Sequence, residues 1–127
     1  MEIVKIVVLS LSSLLLIFVG ISRLSNPIKT YLKSSGITLD NDVNLLNEMR
    51  GVSAVMLCGG ILTVLGTFIH SFTFTSFVIA SLLFLGFALG RIISIATDGK
   101  PNKQLVQGIV FEIVLGGANI FCLISLF

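Results

Sequence analysis

Charge is what this sequence has least of. Lys, Arg, Asp and Glu make up 11% of the 127 residues, where a soluble domain carries about 25%, so there are too few charges to cover a water-facing surface. The net charge of +2 gives nucleic acid no electrostatic footprint to bind. Histidine occurs once, at His70, and one imidazole without a second ligand nearby makes no metal site. The two cysteines, Cys58 and Cys122, lie inside apolar runs at different depths, whereas a disulfide tolerates a Cα separation of only about 7 Å. They read as packing residues. Internal repeats, low-complexity tracts, nucleotide motifs and catalytic triads are all missing. These absences point to a non-enzymatic protein without a cofactor, working in or at a bilayer.

What the chain has in abundance is apolar length. Hydrophobic residues are 55% of the total, the mean hydropathy is +1.10, and they fall into four blocks at about 4–22, 50–70, 72–96 and 105–126. Each block is close to the roughly 20 residues that cross a hydrocarbon core of about 30 Å. Backbone groups in lipid must find their partners within the segment, so the blocks must be helical. The fold class follows: all-α, a single membrane domain over 1–127, built as an integral four-helix bundle. The first block ends in Ser22-Arg23-Leu24 without a small-x-small cleavage pattern, and reads as a retained helix, not a signal peptide. His70-Ser71-Phe72-Thr73 makes a tight turn between the second and third spans. Those two spans should form an antiparallel hairpin.

Four spans place the first and third connections on one side of the membrane. Those connections and their borders carry Arg23, Lys29, Lys33, Arg50, Arg91, Lys100 and Lys103, against Lys5 alone on the other side. The positive-inside rule then makes loops 23–49 and 97–104 cytoplasmic and both termini external. Helical spans favour an inner membrane, since outer-membrane proteins are usually barrels. The long first connection has a pattern of its own. Ser25-Asn26 can cap a helix with Pro27 at its first position; Ile28, Tyr31 and Leu32 share one face, Lys29 and Lys33 another, and Gly36 suits the exit. It reads as a short interfacial helix between spans one and two, although a solvated surface helix would have the same pattern. Asp40-Asn41-Asp42 caps a further helical stretch. It is no calcium loop, because the sixth position is Leu45 and the twelfth is Gly51 where glycine and an acid are needed.

Chemistry should gather where charge enters the membrane, since a charged side chain there costs roughly 2.5–3.5 kcal/mol on insertion scales. Arg91 lies about 10 Å up the third helix from Asp98 and Glu112 about 13 Å into the fourth from Lys103, so the two reach the same depth and can pair. Helical spacing widens the pair. Arg91, Ser94 and Asp98 share a face of the third helix, Glu112, Gly116 and Asn119 a face of the fourth, and Asn47, Glu48 and Arg50 enter the second span from the same side. The expected site is thus a polar cluster of Asn47, Glu48, Arg50, Arg91, Ser94, Asp98, Glu112 and Asn119, open to the cytoplasm. Two readings stay open: an Arg–Glu network that fixes helix register, or a site for a ligand or proton. Gly86 and Gly90 form a GxxxG pair, and with Gly59-Gly60 and Gly116-Gly117 are expected to pack the four helices of one chain, homo-oligomerisation being the alternative.

Gly20 and Pro27 around the end of the first span, Asn47-x-x-Arg50-Gly51 opening the second, Gly90-Arg91-x-x-Ser94 with Asp98-Gly99-x-Pro101 closing the third, and Glu112 in the fourth resemble the domain-of-unknown-function 4345 family of small bacterial four-helix membrane proteins. The resemblance covers essentially the whole chain. It implies the bundle and makes the polar cluster a common feature of the family, without bringing an activity. Small multidrug transporters differ, since their essential Glu sits in a first helix that here is uncharged from Lys5 to Arg23. The leading expectation for function is an accessory or scaffold subunit of a larger membrane complex, with membrane lipids as partners. The alternative is a lipid- or small-molecule-binding or transporting bundle using the Arg/Glu cluster.

Overall fold

The computed structural model describes all 127 residues. Helix α1 runs Glu2–Ser25, α2 Pro27–Ser35, α3 Val43–Phe68, α4 Thr73–Asp98 and α5 Lys103–Ile124. All but α2 are long and apolar enough to cross a membrane. Each boundary has a local cause. The Asn26 side chain accepts from the Lys29 N–H at 3.3 Å, with Pro27 in the first turn of α2. Gly36, at φ +67°, ends α2 in the left-handed conformation that glycine adopts without strain. Asp42 caps α3 through the Asn44 N–H at 3.2 Å, and Asn102 caps α5 through the Leu105 N–H at 2.9 Å. Starting at Val43, α3 is longer than its apolar run, so Asn47, Glu48 and Arg50 ride on its first two turns.

Only 24 of the 127 residues are buried, and large apolar side chains such as Phe18, Leu82, Phe111 and Ile124 face outward. That is the surface lipid requires of a bundle. Inside, Leu9, Phe77 and Cys122 pack near the end that carries both termini, and Leu16, Ala80 and Phe84 pack nearer the middle. The α3–α4 hairpin closes through a 3₁₀ turn at His70–Phe72. Thr73 and Ser76 on α4 each donate at 2.9 Å to carbonyls of α3, those of Gly66 and Leu62. These hydroxyls satisfy themselves and fix the hairpin register.

The helices form a ring that is not evenly closed. Helix α1 packs extensively along α3, α3 on α4 and α4 on α5, while α1 meets α5 over a short stretch only. Glycine sets the first of these contacts. A Cβ on Gly20 would stand 2.8 Å from the Leu57 backbone nitrogen, and one on Gly60 2.9 Å from that of Ile17, so α1 and α3 touch nearly backbone to backbone. Gly59, Gly66 and Gly116 likewise leave room for Leu83, Ser76 and Leu85. The expectation that every paired glycine packs the chain fails for Gly86, Gly90 and Gly117. A Cβ at any of them meets nothing within 4 Å, because the hundred-degree turn per residue points these positions away from the ring.

Gly60→Ala is therefore expected to destabilise the protein by about 1–3 kcal/mol through overpacking. Gly86→Ala should be neutral or stabilising by about 0.5–1 kcal/mol through helix propensity. Thermal unfolding of both variants in one detergent checks the contrast, and equal effects would mean the α1–α3 contact is not tight.

Candidate functional site

Where α1 and α5 part, a cavity of about 640 Å³ remains. It is built in two zones. Leu15, Leu16 and Val19 of α1, Met56 of α3, and Phe84 and Phe87 of α4 make an apolar floor. Arg23 at the end of α1, Lys29 and Lys33 of α2, and Arg91 of α4 make a cationic mouth around the single carboxylate of Glu112. Phe18 on α1 and Phe111 on α5 line the cavity yet are 72% and 63% exposed, so the seam between them faces the lipid. Gly108, one turn before Glu112, leaves open space in the wall.

Helix α2 roofs the mouth and is fastened there. The Asn102 amide donates to the Ser35 carbonyl at 2.9 Å and the Gln104 amide to the Lys33 carbonyl at 3.4 Å. The start of α5 thus grips the far end of α2. The near end follows directly from α1, where Thr30 Oγ1 donates to the Ser22 carbonyl at 2.8 Å. Tyr31 and Pro27 are the buried face of α2, while Leu32, expected beside Tyr31 on its apolar face, is exposed.

The charges in the mouth are unevenly matched. Arg91 Nε lies 3.0 Å from Glu112 Oε1, with the side chains 28% and 12% exposed. The Nε–H is not directed at that oxygen, which is buried with no hydrogen-bond donor. The guanidinium of Arg23 stacks on the Tyr31 ring, 4.4 Å from its centroid, and Nη2 reaches Ser35 Oγ at 3.5 Å. Its Nε is buried without an acceptor. Beyond Arg91–Glu112 the chain's one other ion pair is Lys5–Glu2, at the opposite end. The mouth holds four cations and one anion, and three of the cations have no carboxylate.

The cluster expected from helical spacing is dispersed. Arg91 and Glu112 come together. Ser94 and Asp98 bond each other at 3.0 Å on the exposed last turns of α4. Asn47 and Glu48 are exposed on the first turns of α3, and Arg50 instead donates to the Leu24 carbonyl at the end of α1. Asn119 is buried two turns deeper, donating to Ser12 Oγ at 2.9 Å and to the Leu115 carbonyl at 2.8 Å. It closes the α1–α5 seam below the cavity. The residues that spacing missed are Arg23, Lys29, Lys33, Tyr31 and Ser35. Lys29 and Lys33 were visible as one face of a helix, but only the docking of α2 turns that face over a cavity. Cys58 is exposed and Cys122 buried, both free, and His70 is exposed in its turn. No three His, Cys, Asp or Glu side chains converge as a metal site would need.

Fold and site together define a small multi-pass membrane protein with a laterally open, cation-rimmed cavity. The model of the domain of unknown function DUF4345 matches residues 4–123, and the chain belongs to that family. No curated protein and no solved structure matches it.

Removing Arg91 alone takes from the half-buried Glu112 its one ion-pair partner, so Arg91→Leu should cost about 2–3 kcal/mol. Arg91→Leu with Glu112→Leu should recover most of that loss, because no unpaired charge remains. A double-mutant cycle on thermal stability measures the coupling. An additive double variant would show that the two side chains do not interact.

Proposed function

We propose that this protein holds an amphipathic small molecule or lipid, drawn from the surrounding membrane, without altering it chemically. The cavity carries this reading. Its volume of about 640 Å³ falls within the roughly 300–1,000 Å³ of small-molecule sites, and its apolar floor and polar mouth match a ligand with a tail and a head. Phe18 and Phe111 on the seam give lipid-dissolved molecules a sideways route in. A site built only to fix helix register would close around its ion pair, since unfilled space forfeits packing contacts. The protein sits in an inner membrane, with 23–49 and 97–104 cytoplasmic and both termini outside, which puts the mouth at the cytoplasmic headgroups.

A second reading is an accessory or scaffold subunit, and the outward glycines favour it. Gly86 and Gly90 lie one turn apart on the free face of α4, a surface that admits another membrane helix closely, from a partner or a second copy.

Native mass spectrometry of protein extracted gently from its own membrane separates the two. The expected result is one retained lipid or metabolite per chain, lost in Gly108→Leu. That substitution fills the cavity where a side chain meets no obstacle and replaces glycine with a better helix former. A protein partner with an empty cavity would install the second reading in its place. Orientation is tested by labelling Lys33→Cys with a membrane-impermeant thiol reagent. Reaction is expected in inverted vesicles, and labelling from the outside of intact cells would reverse the topology.

A further inference from the structure

We infer that the cavity's occupant is an amphipathic oxyanion, whose phosphate or carboxylate head is held by Arg23, Arg91, Lys29 and Lys33 and whose hydrocarbon tail lies over the apolar floor. The inference rests on the ligand-binding reading and gives it a ligand class. Charge is the first argument. Four cations face one carboxylate at the mouth, and a bound anion would supply the counter-charge that the chain omits. A topogenic signal accounts for basic residues in loops. It does not account for Arg91 lying within α4, nor for Arg23 being folded back onto Tyr31 and Ser35 beneath α2.

Orphaned hydrogen-bond capacity is the second argument. Arg23 Nε is a buried donor with no acceptor, and a guanidinium presents its N–H groups in a planar fork that matches a carboxylate or phosphate. Leaving such a donor unmet costs more than the net worth of an ordinary hydrogen bond. A turn of the guanidinium toward an oxyanion beside Arg91 would supply the missing acceptor.

The third argument is the position of Glu112. It occupies the anion's place on Arg91 with an oxygen that receives no directed N–H, so the pair is a loose one. An incoming phosphate would accept properly aligned bonds from the same guanidinium, and charge-assisted bonds of that kind are about twice as strong as neutral ones. Glu112 is thus an internal competitor. It keeps the empty mouth from carrying four uncompensated cations, and it limits how tightly an anion is retained.

The test measures thermal stabilisation of the purified protein by four probes: hexadecyl phosphate, hexadecyl phosphocholine, hexadecanol and inorganic phosphate. Hexadecyl phosphate is expected to stabilise at far lower concentration than the other three, with an affinity that falls as salt rises. Lys29→Gln with Lys33→Gln, both exposed and without folding risk, should weaken it about threefold to tenfold. Arg23→Gln should weaken it about tenfold or more. Glu112→Gln should tighten it several-fold, because the competing negative charge beside Arg91 is removed. Equal stabilisation by the phosphate, the phosphocholine and the alcohol would overturn the anion claim and leave the cavity a general amphiphile site. Inorganic phosphate acting as well as hexadecyl phosphate would overturn the tail and reduce the site to an anion pocket. No stabilisation by any probe that Gly108→Leu abolishes would sink this inference and the ligand-binding reading together.

Discussion

The near backbone-to-backbone contact of α1 with α3 decides the shape of everything else. Gly20 against Leu57 and Gly60 against Ile17 draw the two helices together over their length. In lipid, where apolar surface gains little by leaving the bilayer, such close packing is a main source of helix association. On its other flank α1 has much less contact. Helix α1 meets α5 over a short stretch, where Leu9 and Cys122 share a cluster and Ser12 meets Asn119, and above that hydrogen bond the seam opens into the cavity. Void and glycine contact are two results of one placement.

An open seam at membrane depth would be unstable if it were merely a gap. Its upper end is instead finished with polar chemistry that the chain carries over from three places. The end of α1 brings Arg23, the roof helix brings its lysines and Ser35, and the start of α5 brings Gln104 and Asn102 to hold the roof down. Lys and Arg can place their apolar stems along such a wall while their charges stay near the headgroups. The boundary between floor and mouth therefore follows the boundary between hydrocarbon and interface.

Much of this architecture is legible in the sequence. Run length and hydropathy define the four spans, Asn26 with Pro27 and Asp42 mark two helix starts, and the depth of Arg91 and Glu112 from their shared loop is enough to pair them. Helical spacing reads one element at a time, however, and that is where the site escaped it. Ser94 and Asp98 share a face with Arg91 on an ideal helix, but both are exposed and bond each other, and a face without a neighbour is only surface. Asn119 shares a face with Glu112 and lies two turns deeper, a distance of about 10 Å that places it in a different layer. Lys29 and Lys33 read only as one face of an interfacial helix, because nothing local records which way α2 will lie. The spacing of glycines was equally mute about Gly86 and Gly90, since GxxxG marks a surface fit for close approach and not whether the approaching helix belongs to the same chain.

Arg91–Glu112 is where structural and functional readings of this bundle meet, and its geometry favours their combination. A pair whose sole task was to hold α4 against α5 would gain most from short, directed bonds on both carboxylate oxygens, since a buried ion pair offsets its desolvation only when its remaining bonding capacity is met. Here one oxygen lies within 3.0 Å of the guanidinium and still lacks a donor, while a few residues away the buried Arg23 Nε lacks an acceptor. A missing donor and a missing acceptor at the edge of one cavity are not mended by each other, because Arg23 is turned to Tyr31 and Ser35. Under the proposed reading, both would be mended by an oxyanion that accepts from the arginines and releases Glu112. The carboxylate would then work as a placeholder, making the empty state tolerable and yielding to a ligand better suited to the arginines.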